Sequence, residues 1–90
     1  MTTKRENLVD YVLATDRRKI VLLTLAERSI ARPAELATYL KVSNFLVFKA
    51  IHELEEKGLV KALECRRKTW KRYKITKLGK RIIKDLDKRI

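Results

Sequence analysis

A run of basic residues between Arg66 and Arg72 is the clearest chemical signal in this sequence of 90 residues. Five of its seven residues are basic, namely Arg66, Arg67, Lys68, Lys71 and Arg72. Like charges this close together repel one another unless an anion lies against them. The run therefore predicts contacts to phosphate groups. Trp70, within the run, has two open interpretations: a packing residue of a hairpin, or a ring that stacks or wedges at a bound base.

The overall charge points to the same class of partner. The formal net charge is +12, from 23 Lys and Arg against 11 Asp and Glu. Heat-adapted proteins also carry many charges, but of both signs in balance, which is not the case here. The excess favours nucleic acid over an anionic membrane. A hydrophobic fraction of 46% excludes a disordered chain, and the length predicts a single domain over residues 1–90.

Residues suited to enzymatic or metal chemistry are scarce. One His and one Cys cannot build a zinc site or a disulfide framework within a chain. No Gly-rich phosphate loop is present. We therefore expect no enzymatic activity, no catalytic residue, no metal and no cofactor, and no small-molecule site is evident. Cys65 is interpreted as a half-buried strand residue, with a redox or intersubunit disulfide role as the alternative.

Neither a membrane span nor a signal peptide is indicated. The longest apolar run, Ile20–Leu23, is far shorter than the ~20 residues that cross a bilayer. The first residues lack the apolar stretch of a signal peptide. We expect no membrane partner and a cytoplasmic location.

One helix, predicted over residues 44–57, has a marked start and a marked end. Ser43 is suited to cap its first turn, and Gly58 to end it in the left-handed conformation. Leu59 is then expected to close on Leu54, as in a Schellman motif. Val47, Ala50, Ile51 and Leu54 recur at i, i+3, i+4 and i+7, which predicts a buried stripe. The opposite side, here called the outer face, carries Asn44, Phe45, Phe48, Lys49, His52 and Glu56.

The remaining pattern predicts four more helices and a hairpin. Residues 6–14 and 17–28 form N-terminal helices, the second capped by Thr15 or Asp16, and residues 33–40 form a short helix that begins at Pro33. Two strands enclose the basic run, so that residues 59–75 form a hairpin. Thr76 is suited to cap a last helix over residues 77–90. Residues 1–5 are polar and are expected to form a flexible arm.

This order of elements resembles the winged helix-turn-helix family. The resemblance rests on the helix–turn–helix of residues 33–57, on E-L-E-E-K-G-L-V, and on I-T-K-L-G after a basic hairpin. It is greatest to small archaeal regulators of the MarR/ArsR type. It implies an α+β fold with a three-helix core, a short first strand near residues 29–32, a β-hairpin wing and an additional C-terminal helix. It also implies a transcription regulator that binds double-stranded DNA, with helix 44–57 in the major groove and the wing on the backbone or in the minor groove.

Within that family resemblance, the residues of this helix that are expected to contact DNA are Ser43, Asn44, Phe45, Phe48, Lys49 and His52. Asn44 is suited to adenine, and Lys49 to guanine or a phosphate. Phe45 and Phe48 depart from the family, which has small polar residues and Arg there. Their rings would meet thymine methyl groups or a protein partner. Two alternatives stay open: a non-specific architectural DNA-binding protein, and a module for protein interactions.

Three apolar helix faces predict a homodimer. A domain of this size has little core to cover helices 6–14, 17–28 and 77–90 at once. Pairing of the terminal helices across a two-fold axis would cover them. The residues expected at this interface are Leu8, Val12, Ile82, Ile83, Leu86 and Ile90. The competing account is that the first and last helices pack on each other and complete the core of a single chain.

Overall fold

The computed structural model describes residues 4–63 and 71–89, with side chains from 7 to 63 and from 71 to 88. Its elements are α1 (Lys4–Leu13), α2 (Asp16–Arg28), β1 (Ile30–Ala31), α3 (Pro33–Leu40), α4 (Asn44–Glu56), β2 (Val60–Leu63), β3 (Arg72–Ile75) and α5 (Lys77–Arg89). The strands pair antiparallel in the order β1-β3-β2. Five helices and a small sheet give the predicted α+β fold.

The start of α1 differs from the expectation. The helix begins at Lys4, so Lys4 and Arg5 are helical and do not belong to a flexible arm, while residues 1–3 lie outside the described part. Thr15 occupies the N-cap position of α2, but its side chain makes no capping hydrogen bond. The backbone of Thr15 instead accepts from the Lys19 N–H at 3.3 Å, as an ordinary helical residue would.

The helix α2 lies at the centre of the fold. Its buried residues include Val21, Leu22 and Leu25, and it packs against every other helix and against β1 and β3. This contact on several sides explains why the segment is apolar almost all round. Only Ile20 among its large apolar residues stays well exposed, at 45%.

The terminal helices complete the core of the single chain, which corrects the expected interface. Leu8, Val12, Ile82 and Leu86 are 8%, 0%, 0% and 2% exposed, because α1 packs against α5 and both pack against α2. Side chains already buried within one chain are not available to a second one. Ile83 is half-buried, and the side chain of Ile90 lies outside the described residues.

A tight junction joins α4 to α5. The Thr76 Oγ1 accepts from the Gly79 N–H at 3.0 Å, which confirms the predicted cap of α5. The same hydroxyl donates to the Gly58 carbonyl at 2.7 Å, just past the end of α4. A Cβ at Gly79 would lie 2.3 Å from the Leu59 carbonyl oxygen, so only glycine fits this approach of α5 to the base of the hairpin. No described helix is long and apolar enough to cross a bilayer.

Candidate nucleic-acid interface

The helix α4 begins and ends as its sequence predicts. The Ser43 Oγ accepts from the Leu46 N–H at 3.3 Å. At the other end Gly58 has φ +76°, and the Leu59 N–H donates to the Leu54 carbonyl at 3.0 Å while the Gly58 N–H donates to Glu55 at 2.9 Å. These two bonds define a Schellman motif. The start of α4 is therefore fixed, and its first turn carries no acidic residue.

The two sides of α4 separate as expected. Val47, Ala50, Ile51 and Leu54 are buried at 0–2% exposure. The outer face residues Asn44, Phe45, Phe48, Lys49, His52 and Glu56 are all exposed. Phe45 is 72% exposed, which is unusual for a large apolar side chain and means that nothing in the single chain covers it. His52 Nδ1 lies 3.8 Å from Glu55 Oε1, so this imidazole has one acidic neighbour on its own helix.

An ion pair and an aromatic ring hold α4 against the N-terminal helices. The guanidinium of Arg18 pairs with the Glu53 carboxylate and donates to the Tyr11 carbonyl at 2.9 Å. It also stacks over the Tyr11 ring at 4.0 Å, and Lys57 Nζ lies 5.1 Å from that ring. The hydrogen bond to Glu53 raises the pKa of Arg18, and burial raises the pKa of the Tyr11 phenol. Both groups therefore keep their usual protonation near neutral pH.

A polar cleft beside the outer face brings in a residue that the sequence analysis missed. Arg17 at the start of α2 and Lys49 on α4 line a cavity of about 140 Å³, together with Thr15, Arg18, Leu46, Ala50 and Glu53. Arg17 is exposed. It adds a second cation next to Lys49. In the sequence Arg17 marks only a helix start, so no pattern links it to a residue 32 positions later.

An apolar cavity lies on the other side of the same helix start. It has a volume of about 100 Å³ and is lined by Ile20, Val21, Leu40, Val42, Leu46 and Val47, with Arg17 at its edge. Pockets for drug-sized ligands are larger, about 300–1,000 Å³. This cavity is too small to hold such a ligand without rearrangement.

The described part of the wing keeps its charges in solvent. Lys71 and Arg72 are exposed, with Arg72 paired to Leu63 across the hairpin and Lys71 Nζ 5.9 Å from the Tyr73 ring. The wing predictions for Arg66, Arg67, Lys68 and Trp70, and that for Cys65, fall outside the described residues. At its base, Tyr73 is buried, and burial raises the pKa of its phenol.

A second basic area surrounds the start of α3. The Arg32 Nε donates to Glu35 Oε1 at 2.8 Å, which lowers the pKa of Glu35 below its ordinary value. Arg28 stacks over the exposed Tyr39 ring at 4.8 Å and lies 4.0 Å from the Glu35 carboxylate. Glu35 partly neutralises this area, as Glu53 does for Arg18 in the cleft that contains Arg17 and Lys49.

Comparison with known proteins identifies the fold. The structure of TubR bound to 24 bp of tubC, from Bacillus thuringiensis serovar israelensis pBtoxis, superposes with a TM-score of 0.78 at 17% identity, covering 100% of this chain and 99% of that chain. An ArsR-like transcriptional regulator from Rhodococcus sp. RHA1 has a TM-score of 0.68 at 26% identity, with 89% of this chain and 74% of that chain covered. A mutant MarR from E. coli, complexed with operator DNA, has a TM-score of 0.70 at 24% identity.

These likenesses confirm the winged-helix fold of the MarR/ArsR type. The match to TubR covers almost the whole of the TubR chain. The match to MarR covers 91% of this chain but 62% of the MarR chain. No protein-family model matches the sequence. No curated protein matches it either. The assignment of the fold therefore rests on three-dimensional structure.

Proposed function

We propose that this protein is a sequence-specific regulator of transcription that binds double-stranded DNA through α4. The observation that carries the proposal is the outer face of α4, which is fully exposed on a helix anchored along its other side. A helix fits the major groove of B-DNA, and its N-terminal residues reach the base edges. MarR and TubR have been solved with bound DNA on the same fold, which supports the proposal.

Each exposed residue of α4 has a distinct role in this proposal. Asn44 reads adenine through its amide, and Lys49 reads guanine or holds a phosphate. Phe45 and Phe48 contact thymine methyl groups, which accounts for large rings in solvent. Ser43 and the acid-free first turn leave the positive end of the helix dipole facing the anionic DNA.

Contacts to the DNA backbone come from the wing and from the cleft beside α4. Lys71 and Arg72 end the basic run of the wing, which begins in the sequence with Arg66, Arg67 and Lys68. Arg17, which lines the cleft together with Lys49, supplies a further phosphate contact. We expect no metal, cofactor or catalytic step in binding. We propose the cytoplasm of an archaeal cell as its location, where its DNA partner would be.

We further propose a homodimer, because paired winged helices reach two half-sites about 34–36 Å apart. Its interface must use residues other than the four that the core already buries. Ile83, half-buried, and Leu13, 38% exposed, remain on the terminal helices. Sedimentation equilibrium should give twice the chain mass for the parent and one chain mass for Ile83→Glu. A monomeric parent at tens of micromolar would exclude the dimer.

Selection of bound sequences from random duplexes tests the main proposal. An enriched motif is expected. Asn44→Ala and Lys49→Ala should each relax preference at particular base pairs, by about 1–3 kcal/mol for a bidentate contact. Lys84→Ala is the matched control, since Lys84 is an exposed lysine on α5, outside the helix and the wing proposed to bind the selected site. A uniform loss across all sequences would favour the architectural alternative instead.

The salt dependence of binding tests the contribution of the wing. Arg67→Ala together with Lys68→Ala should weaken binding to all sequences alike. It should also reduce the salt slope by up to about two, because each lost phosphate contact removes about 0.9 from the log–log slope. An unchanged slope would remove these two residues from the interface.

A second candidate function is DNA segregation. The observation that favours it is the likeness to TubR, a protein of type III plasmid segregation, which covers 100% of this chain with a TM-score of 0.79. A reporter gene placed behind the selected site separates the two functions. Changed expression supports regulation, whereas tight binding that leaves expression unaltered supports segregation.

A further inference from the structure

The outward side of α5 carries a continuous line of positive charge. Five exposed residues form this basic stripe, namely Lys77, Lys80, Arg81, Lys84 and Lys88. At 3.6 residues per turn they fall within an arc of about 100°. The opposite side of the helix holds the buried Ile82 and Leu86. The stripe is therefore one surface, separate from the part of α5 that belongs to the core.

The charges of the stripe match the linear density of a nucleic acid strand. From Lys77 to Lys88 the helix rises about 16 Å at 1.5 Å per residue, which gives one positive charge every 3–4 Å. One strand of B-DNA carries a phosphate about every 3.4 Å along the axis. A duplex that lies against α5 would therefore bring several phosphates within reach of the stripe, although fewer than its five cations because each strand winds around the axis.

Two acidic residues of the same helix border the stripe, the half-buried Asp85 and the exposed Asp87, so these seven side chains keep an excess of three positive charges. Within the described part of the chain, none of the five members of the stripe takes part in an ion pair. Like charges at i,i+3 and i,i+4 destabilise a helix, and the stripe contains five such pairs, beginning with Lys77 and Lys80. A bound polyanion would convert that repulsion into attraction.

The position of α5 separates the stripe from the proposed interface on α4. The buried side of α4 packs on α2, and the buried side of α5 packs on α1 and α2. Besides α2, which both helices contact, α4 packs on α3 and β2 whereas α5 packs on α1, so the outer face and the stripe belong to different parts of the surface. Basic amphipathic helices also bind membrane surfaces, but they do so by inserting an apolar side, which here lies in the core.

We propose that the basic stripe of α5 binds the backbone of a second DNA duplex, so that one molecule holds two duplexes together. This inference rests on the proposed function for its first duplex, bound by α4. Binding along the stripe is independent of sequence, since phosphates carry no base identity. The protein then joins a specific site to any neighbouring DNA.

Two triple variants with the same loss of charge test the inference. The stripe variant is Lys77→Gln/Lys84→Gln/Lys88→Gln, and the wing variant is Arg67→Gln/Lys68→Gln/Lys71→Gln. A duplex with the selected site is tethered to beads and saturated with protein, and a labelled duplex of unrelated sequence is added. The stripe variant should bind the tethered site within threefold of the parent but capture at least tenfold less labelled duplex. The wing variant should lose affinity for the tethered site itself.

The other outcomes separate the two proposals. A parent that binds the tethered site but captures no labelled duplex overturns the second site and leaves the proposed function intact. Undiminished capture by the stripe variant also overturns it, because two α4 helices of a dimer would then hold the two duplexes. Loss of the tethered site by the stripe variant would make α5 part of the first interface.

Two further experiments test the class of partner and the case in which the protein binds no preferred site. Stronger capture of duplex RNA or of vesicles with anionic lipid than of duplex DNA overturns the choice of partner. If the parent protein selects no preferred site, the proposed function is wrong. Titration of unrelated duplex, which needs no tethered site, then decides the inference: equal salt slopes for the parent and the stripe variant overturn it, whereas a slope reduced by roughly 2 to 3 supports it.

Discussion

The helices α4 and α5 have the same length and bury an apolar side in the same core, yet their exposed sides differ in chemistry. On α4 the exposed side is mixed, with an amide, two phenylalanines, a lysine and a histidine. On α5 five cations dominate it, and Asp87 is the one exposed acid among the described residues of that helix. A mixed surface can distinguish base pairs, whereas a mainly cationic one attracts phosphates. The buried sides of both helices thus define the fold, and under our two proposals their exposed sides divide base recognition from phosphate attraction.

The two helices also differ in how they are held. Besides its packing, α4 is tied to α1 and α2 by the Arg18–Glu53 pair and by the stacked Tyr11 ring. The start of α5 is instead joined to the end of α4 by a neutral hydrogen bond, from the Thr76 hydroxyl to the Gly58 carbonyl. A helix that reads base edges must hold its side chains to within a fraction of an ångström, while a helix that attracts phosphates need not.

Truncation of one buried isoleucine in each helix should have the largest effect. Ile51 and Ile82 are both 0% exposed. Ile51→Ala and Ile82→Ala should each lower the free energy of unfolding by about 2–5 kcal/mol, through lost burial and the cavity left behind. Urea denaturation measures this loss of stability, provided that the m-value is unchanged. A cost below about 1 kcal/mol for Ile82→Ala would mean that α5 is only peripherally attached.

The stability lost on removal of the Arg18–Glu53 ion pair should distinguish α4 from α5. Arg18→Met leaves the Glu53 carboxylate, only 26% exposed, without its partner. The expected cost is about 1.5–3 kcal/mol, typical of a hydrogen bond to a charged group. Lys80→Met on α5 is the control and should be nearly neutral. Arg18→Met/Glu53→Gln should recover part of the loss; a double variant as unstable as the sum of both single variants would show that the pair is not coupled.

The two glycines at the junction should respond unequally. Gly79→Ala places a methyl group 2.3 Å from the Leu59 carbonyl oxygen and 2.6 Å from the Ile75 side chain. Forcing these apart should cost about 1–3 kcal/mol. Gly58→Ala meets no atom within 4 Å and only the left-handed backbone opposes it, for about 1 kcal/mol. Thermal melts that rank Gly58→Ala as the worse of the two would contradict the close packing of α5.

Changes on the exposed sides should have the smallest effect on stability. Phe45→Ala and Lys84→Ala replace residues that the core does not use, so each should stay within about 0.5 kcal/mol of the parent. Their effects on DNA should differ. Phe45→Ala should alter the selected motif, and Lys84→Ala should alter only the salt dependence. Loss of stability in Phe45→Ala would show that its ring packs within the chain.

Much of the fold could be predicted from the sequence because its signals are local. Ser43, Gly58 and Thr76 act on backbone groups within a few residues, so their caps and the ends of α4 and α5 follow from residue type. The buried stripe of α4 follows from periodicity in the same way. The outer face was thus identified correctly as the exposed side.

Features that depend on distant residues were missed or assigned wrongly. The apolar sides of α1 and α5 predict burial, but periodicity does not say whether the cover comes from the same chain or from a second one. In the structure, the same chain covers Leu8, Val12, Ile82 and Leu86. Likewise Arg17 meets Lys49, and Arg18 meets Glu53, only because α2 and α4 cross. A single sequence carries no direct signal for such pairs.

The hydroxyl of Thr76 has a consequence for protein engineering. It joins Gly58 to the start of α5, so the two ends of the wing are held together by a bond that lies outside the hairpin strands. The entropy of closing a loop between fixed ends grows slowly, by about 0.6 kcal/mol per doubling of its length. The stretch between β2 and β3 is therefore the part to exchange for one of another length or charge, because Val60, Tyr73 and Ile75 of the strands themselves are buried in the core. Such grafts would allow the reach along DNA to be redesigned separately from base recognition by α4.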